Sequence, residues 1–333
     1  MPKSLSILTT GIAALAFTSF AYAQRAPVID PPEPAEIAGH VAKAKEIAGT
    51  YPLLSKMAAE GYWCMTPSHA SALVGKYTSK PMTDPVPAVQ YFDNLYLFGT
   101  GFVGMFVLKT SDGLIAWDAL NNSAEMETIF EPGMKKFGLN PADIKLMIVT
   151  HGHYDHFGGA KYMQDKYKTP VALSASDWDL MAAAPARPDG TVPPKKDRVL
   201  IDGQKVTVGD TTVQVVITPG HTPGTVSSIV PVRDNGTTRL MAMWGGTAFP
   251  STTAAVTNMR DSALKFRDAA KAAGAVGILN THEFFYDLTA RKNAQGSSPN
   301  NPLVIGAEAT QKTMEIKAEC LTGQIAWSKA MGK

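Results

Sequence analysis

The sequence predicts an α/β protein in which sheets stack face to face with helices on the outside. Three observations carry this. Short strand-like runs come in groups, and the later ones return as hairpins. Helical patterns and single apolar runs alternate between those groups, as layered mixed architectures require. No Gly-x-Gly-x-x-Gly follows a strand, which removes the chief signature of a doubly wound dinucleotide fold.

Taken in order, the chain opens with Lys3, the apolar stretch SILTTGIAALAF and Ala21-Tyr22-Ala23, which together read as a signal peptide over 1–23. A periplasmic or secreted protein is therefore expected. Residues 24–85 read as an N-terminal arm and helix: RAPVIDPPEPAE is extended, and Ile37 to Glu60 has helical spacing that stops at Gly61. The remainder, 86–333, reads as one domain. Its strands are NLYLFG, GMFVLKT, GLIAWDAL and IKLMIVT, with a helix (SAEMETIFEPGMKKFG) interrupted by Pro-Gly between the last two. Then come a helix (GGAKYMQDKY), a strand (PVALSA), a helix (SDWDLMAAA) and the strand-and-turn run RVLIDGQKVTVGDTTVQVVITPG. Asp234-Asn235-Gly236 joins TVSSIVPV to TRLMAMW as a hairpin. A helix from about Ser262 to Ala273, the strand AVGILN and a helix from about Ile305 to Trp327 complete the chain.

Composition narrows the function. Of 333 residues 45% are hydrophobic and 18% charged, enough for a sizeable core, and the net charge of +2 directs the protein to neither nucleic acid nor an anionic membrane. A small-molecule substrate is the expected partner. Cys64 and Cys320 can form one bridge in an oxidising compartment or remain two buried thiols.

The chemistry concentrates at THGHYDHFGG, 150–159, where three of the seven histidines and an aspartate fall within six residues. His151 and His153, two apart after a strand, can project to one side. Asp155 and His156 then belong to the following turn, and Gly158-Gly159 admits a tight entry into a helix. Imidazole and carboxylate suit a borderline divalent ion such as zinc where thiolate is lacking. The ordinary alternative, an exposed polar turn, sits poorly directly after a buried strand. His221 in TPGHTPG and His282 in NTHEFF also follow strands. Either alone would read as a satisfied histidine; together with the motif they read as ligands. His40 and His69 read as structural or surface residues.

These residues resemble the ligand pattern of the metallo-β-lactamase superfamily, most of all its third subclass, with similarity from about Val86 to His282. The resemblance implies an αββα sandwich (the metallo-β-lactamase fold) and two zinc ions. His151, His153 and His221 would hold the first; Asp155, His156 and His282 would hold the second. Asp118 in IAWDAL would orient a ligand from behind. Many hydrolases of this superfamily, thioesterases of the glyoxalase II type and lactonases among them, carry a bridging Asp in Gly-Asp-Thr; here Gly246 precedes Thr247. That absence favours a β-lactamase-like hydrolase of cyclic amides over the alternative, a hydrolase of lactones, esters or thioesters. A non-catalytic zinc protein of the same fold is the reading from another class. Asp155 is the expected catalytic residue, orienting the attacking water and moving its proton. Thr247 and Tyr154 are the expected substrate contacts, and Phe249, Phe284, Phe285 and Tyr286 are aromatics near the expected pocket.

Overall fold

The computed structural model describes residues 35–59, 64, 82–185 and 187–333, all in a single compact unit. The expected signal segment, most of the arm and His69 lie outside the described residues. Two sheets form the centre. Seven strands run in sequential order in the first: β1 (Pro85–Phe92), β2 (Leu95–Thr100), β3 (Gly104–Thr110), β4 (Gly113–Trp117), β5 (Ile144–Ile148), β6 (Val171–Ser174) and β7 (Arg198–Leu200). Pairing is antiparallel up to β4 and parallel from β4 to β7. The second sheet takes the order β12 (Ile278–Leu279), β11 (Thr237–Met243), β10 (Val226–Asp234), β9 (Thr211–Ile217) and β8 (Lys205–Val208).

The strands nearest the middle are buried along their length because both faces are covered. Phe106, Ile115, Trp117, Val215, Val230 and Met241 are wholly buried, each contributing about 1.5–3 kcal/mol by leaving water. Trp117 joins the layers: its indole Nε1 donates to Ser228 Oγ of the other sheet at 3.3 Å. Outside the first sheet lie α3 (Ser123–Glu125), a π turn (Met126–Phe130) and α4 (Glu131–Lys136), with Phe130 edge-on to Phe98 of β2 at 5.5 Å. Outside the second lie α8 (Thr253–Ala273) and the C-terminal α10 (Ala307–Ala330), with Phe266 of α8 against Trp244. This is the expected αββα sandwich.

Several expectations change in detail. The single helix over 37–60 is two, α1 (Ala35–Ala48) and α2 (Pro52–Ala59), because Pro52 has no N–H to continue the ladder. Pro85 and Pro87 nevertheless lie in a strand, β1, which a sheet edge permits. The Pro-Gly interruption is absorbed: Pro132 falls in the first turn of α4, after the π turn has reset the hydrogen bonds. α8 begins nine residues before the expected Ser262, capped by the Thr252 hydroxyl on Ala255 N–H. The hairpin at Asn235-Gly236 has positive φ at both residues, 51° and 76°, as a type I′ turn demands. Cys64 and Cys320 form a disulfide, and His40 Nδ1 lies 2.7 Å from Glu319 Oε1; both hold the N-terminal segment to α10. No helix among the described residues is long and apolar enough to cross a membrane.

Candidate metal centre

The ligands collect at one end of the sandwich, where strands of both sheets finish. β5 leads to His151–His156, β9 to His221, β12 to His282 and β4 to Asp118. The alternation argument for His151 and His153 is corrected, since β5 stops at Ile148 and both lie in the loop beyond. They converge through that loop with different nitrogens. His151 turns Nε2 towards His221 Nε2 at 3.0 Å, while His153 turns Nδ1 towards the same atom at 3.0 Å. Asp155 and His156 lie on the short helix α5 (Tyr154–Phe157). Behind it, the chain around Gly158 and Gly159 packs against Asn121, Ala119 and Met126 so closely that a Cβ at either position would collide.

Two groups of three result: His151, His153 and His221, and Asp155, His156 and His282, with the donor atoms of each within 4.8 Å of one another. The groups adjoin, for the rings of His151 and His156 lie 3.8 Å apart. Each remote ring nitrogen, apart from that of His153, faces a fixed acceptor. His151 Nδ1 lies 2.9 Å from Gly245 O, His221 Nδ1 2.8 Å from Ala248 O, His282 Nδ1 2.7 Å from Phe102 O and His156 Nδ1 2.7 Å from Asp118 Oδ2. A carbonyl or carboxylate there requires the proton on Nδ1, which leaves the lone pair on Nε2. Nε2 of His151 and of His221 then face each other lone pair to lone pair at 3.0 Å, and Nε2 of His156 and of His282 do so at 3.1 Å. Such contacts repel unless a cation lies between them. Nitrogens on one zinc at ~2.0–2.1 Å stand a little over 3 Å apart, so the donor set fits that metal.

Without metal the electrostatics follow the same logic. Burial holds His151 well below the ordinary imidazole range, and burial with His153 nearby pushes His221 down to about 3, so both remain neutral donors. Burial also opposes charge on His156, but Asp155 and Asp118 overcome it and raise the ring to about 10. Burial would raise Asp155, yet His156 and His282 draw it well below the usual carboxylate range.

Three supporting residues gave no signal in the sequence. Asp177, wholly buried at the start of α7 (Ala175–Ala182), accepts from Gly152 N, Gly224 N and Thr222 Oγ1 at 2.9, 2.6 and 2.6 Å. It thereby ties the His151–His153 loop to the His221 loop. Asn280 donates to Trp244 O and Thr247 Oγ1 and accepts from His282 N, joining the His282 loop to 244–247. Phe102, in the β2–β3 turn, holds His282 by its carbonyl and lies ring to ring with it at 4.7 Å.

The expected substrate contacts separate. Tyr154 is 40% exposed at the rim. Thr247 is 4% exposed, and its hydroxyl accepts from Asn280 Nδ2 at 2.8 Å. Phe249 is half-buried against the core, Tyr286 is buried, and Phe284 is half-exposed beside His282, its centroid 5.9 Å away.

Comparison with known proteins agrees with this geometry. Residues 99–234 match the model of the metallo-beta-lactamase superfamily. Five of the six donors, His151, His153, Asp155, His156 and His221, lie within the matched residues, and His282 lies beyond them. Among solved structures it is similar to BJP-1, a subclass B3 metallo-beta-lactamase of Bradyrhizobium japonicum, at TM-score 0.64 and 27% identity, covering 76% of this chain and 99% of that one. The fold also matches native FEZ-1 metallo-beta-lactamase from Legionella gormanii, at TM-score 0.63 and 21% identity over 75% of this chain and 99% of that one. Among curated proteins, a probable metallo-hydrolase of Bacillus subtilis is 31% identical over 121 residues, 32% of this chain and 56% of that protein. An N-acyl homoserine lactonase of a Bacillus species is 25% identical over 155 residues, 40% of this chain and 60% of that protein. The chain therefore spans little more than half the length of the curated relatives it matches.

Proposed function

We propose that the protein is an exported, zinc-dependent hydrolase that opens a cyclic amide of the β-lactam type. The observation that carries this reading is the pair of adjoining donor groups, with the neutral imidazoles of His151 and His221 aimed inward and no carboxylate entering from 245–248. The similarity to subclass B3 enzymes supports it. His151, His153 and His221 would hold one zinc, and Asp155, His156 and His282 the other. When bound, the two ions would supply a Lewis acid for a carbonyl oxygen and lower the pKa of water towards ~7.

The chain's own residues do the rest. Asp155 Oδ2, 3.4 Å from Nε2 of both His156 and His282, is placed to orient the attacking water and carry its proton. Asp118 and the carbonyls of Gly245, Ala248 and Phe102 hold four of the rings still while charge develops. Phe102 and Phe284 cover the flank of His282 and keep solvent from that side. The Cys64–Cys320 disulfide supports an oxidising compartment and hence export.

A second reading, hydrolysis of a lactone or ester, is favoured by one feature. Phe102 and Phe284 stack at 6.2 Å beside His282 and form an apolar wall suited to an acyl group, and a lactonase is among the relatives. Residues 24–333, loaded with zinc, would be assayed on a chromogenic cephalosporin and on an N-acyl lactone, with and without chelator. Chelator-sensitive cephalosporin turnover supports the first reading. Lactone turnover alone selects the second, and no turnover of either by metal-loaded protein would point to another carbonyl compound, an ester or thioester, as substrate.

A further inference from the structure

Two unlike sets of residues lie against the donor groups. The Phe102–Phe284 wall stands on the His282 side. On the other side α7 packs against the ligand loop so tightly that a Cβ on Gly152 would lie 2.9 Å from Asp177 O. The loop after α7 therefore leaves beside the motif, and it sets Arg187 on Tyr154, between the ligands His153 and Asp155 in sequence. The Arg187 guanidinium carbon lies 3.4 Å from the Tyr154 ring centroid, van der Waals contact for a cation stacked on an aromatic face.

Stacking leaves the N–H edge of a guanidinium free to meet a planar anion. Asp189 takes only part of that edge, its Oδ2 standing a long 3.4 Å from both Nε and Nη2, while its Oδ1 accepts from Thr191 N at 3.0 Å. Nη1 of Arg187 has no hydrogen-bond partner among the described residues. The hydroxyl of Thr247, the other expected substrate contact, is buried and accepts from Asn280.

We propose that Arg187, held on the face of Tyr154, is a specificity-determining residue that binds an anionic group, a carboxylate above all, of whatever the metal centre hydrolyses. The proposal deepens the hydrolase reading and rests on it for the word substrate. Recognition itself is testable without turnover. The side chain is 30% exposed, so its preference is moderate and declines with salt.

The test uses cobalt-substituted protein and a short series of mercaptoalkanoic acids with their neutral amides, followed by the thiolate-to-cobalt absorption band. The acids are expected to bind about tenfold more tightly than the matched amides. R187Q should remove that difference while leaving amide affinity unchanged, R187K should keep part of it, and Y154A should weaken it more than Y154F. Equal binding of acid and amide by the unaltered protein would overturn the proposal, as would a preference that survives R187Q. Cephalosporin and lactone turnover, measured separately, reports on the hydrolase reading, so the two fail distinguishably.

Discussion

Asp118 Oδ2 lies 2.7 Å from Nδ1 of His156, and the same carboxylate accepts from Thr150 N–H and Thr150 Oγ1 at 2.7 and 3.0 Å. Asp118 does this with a left-handed backbone, φ 64°, immediately after β4, and the next residue but one, Leu120, is also left-handed at 54°. Such backbone persists where its surroundings over-determine it. Here the neighbours are the motif itself, since Ala119 N–H donates to His156 O and Gly158 N–H to Leu120 O.

Asp118→Asn tests this relationship without disturbing the backbone, because asparagine also tolerates positive φ. It removes the anion that fixes the His156 ring. Competitive zinc titration is expected to show about 10- to 100-fold weaker binding at the Asp155–His156–His282 group. Unchanged affinity would reduce Asp118 to a fold residue.

Asp155→Asn keeps an oxygen donor but cannot carry a proton. Steady-state turnover should fall by ~10²–10⁴-fold while the zinc held by His151, His153 and His221 stays in place. Near-normal turnover at full metal content would remove Asp155 from the chemistry.

Asp177→Ala leaves two buried backbone N–H groups and one hydroxyl without their acceptor. Stability should drop by about 3 kcal/mol or more in urea unfolding, and binding to the first group should weaken because both of its loops loosen. A variant that keeps zinc affinity at that group would show the loops to be held elsewhere.

Lys317 supplies the pH prediction. It is wholly buried on α10, its Nζ has no hydrogen-bond partner among the described residues, and burial pushes it down to about 7; the rings of Trp244 and Phe249 lie 5.5 and 5.6 Å away. Between pH ~7 and ~10.5 the unfolded chain holds this proton and the folded chain does not, so stability from this group rises with pH through that window. Below about pH 7 the folded protein carries the buried charge and the penalty is complete. Lys317→Met should therefore be more stable than the parent at pH 6, by an amount that shrinks as pH climbs towards 10. A difference independent of pH would mean that the amine does not titrate in this range.

Much of this arrangement was legible in the chain. The histidine spacing at 151–156, the isolated His221 and His282 and the strand before each brought all six donors to light, because metal ligands sit where apolar runs end. Asp177 was not legible: SDWDLMAAA reads as an ordinary helix, and only the packing of that helix on Gly152 gives its first carboxylate a role. The partner of Thr247 was not legible either, because Asn280 lies thirty-three residues later in the chain. Pro85 and Pro87 hid β1, since a pattern along the chain does not reveal which strand becomes an edge. The two sets of residues against the donor groups come from the β2–β3 turn and the loop after α7, and their meeting with the motif is a tertiary fact.

The central claim is that the two donor groups are two metal sites. The most direct measurement is zinc content by metal analysis after chelator-stripped protein is dialysed against zinc, compared with His221→Ala and His282→Ala. Two zinc ions per chain are expected in the parent, with a different one lost in each variant. A parent that retains none, or variants that retain both, would contradict the claim.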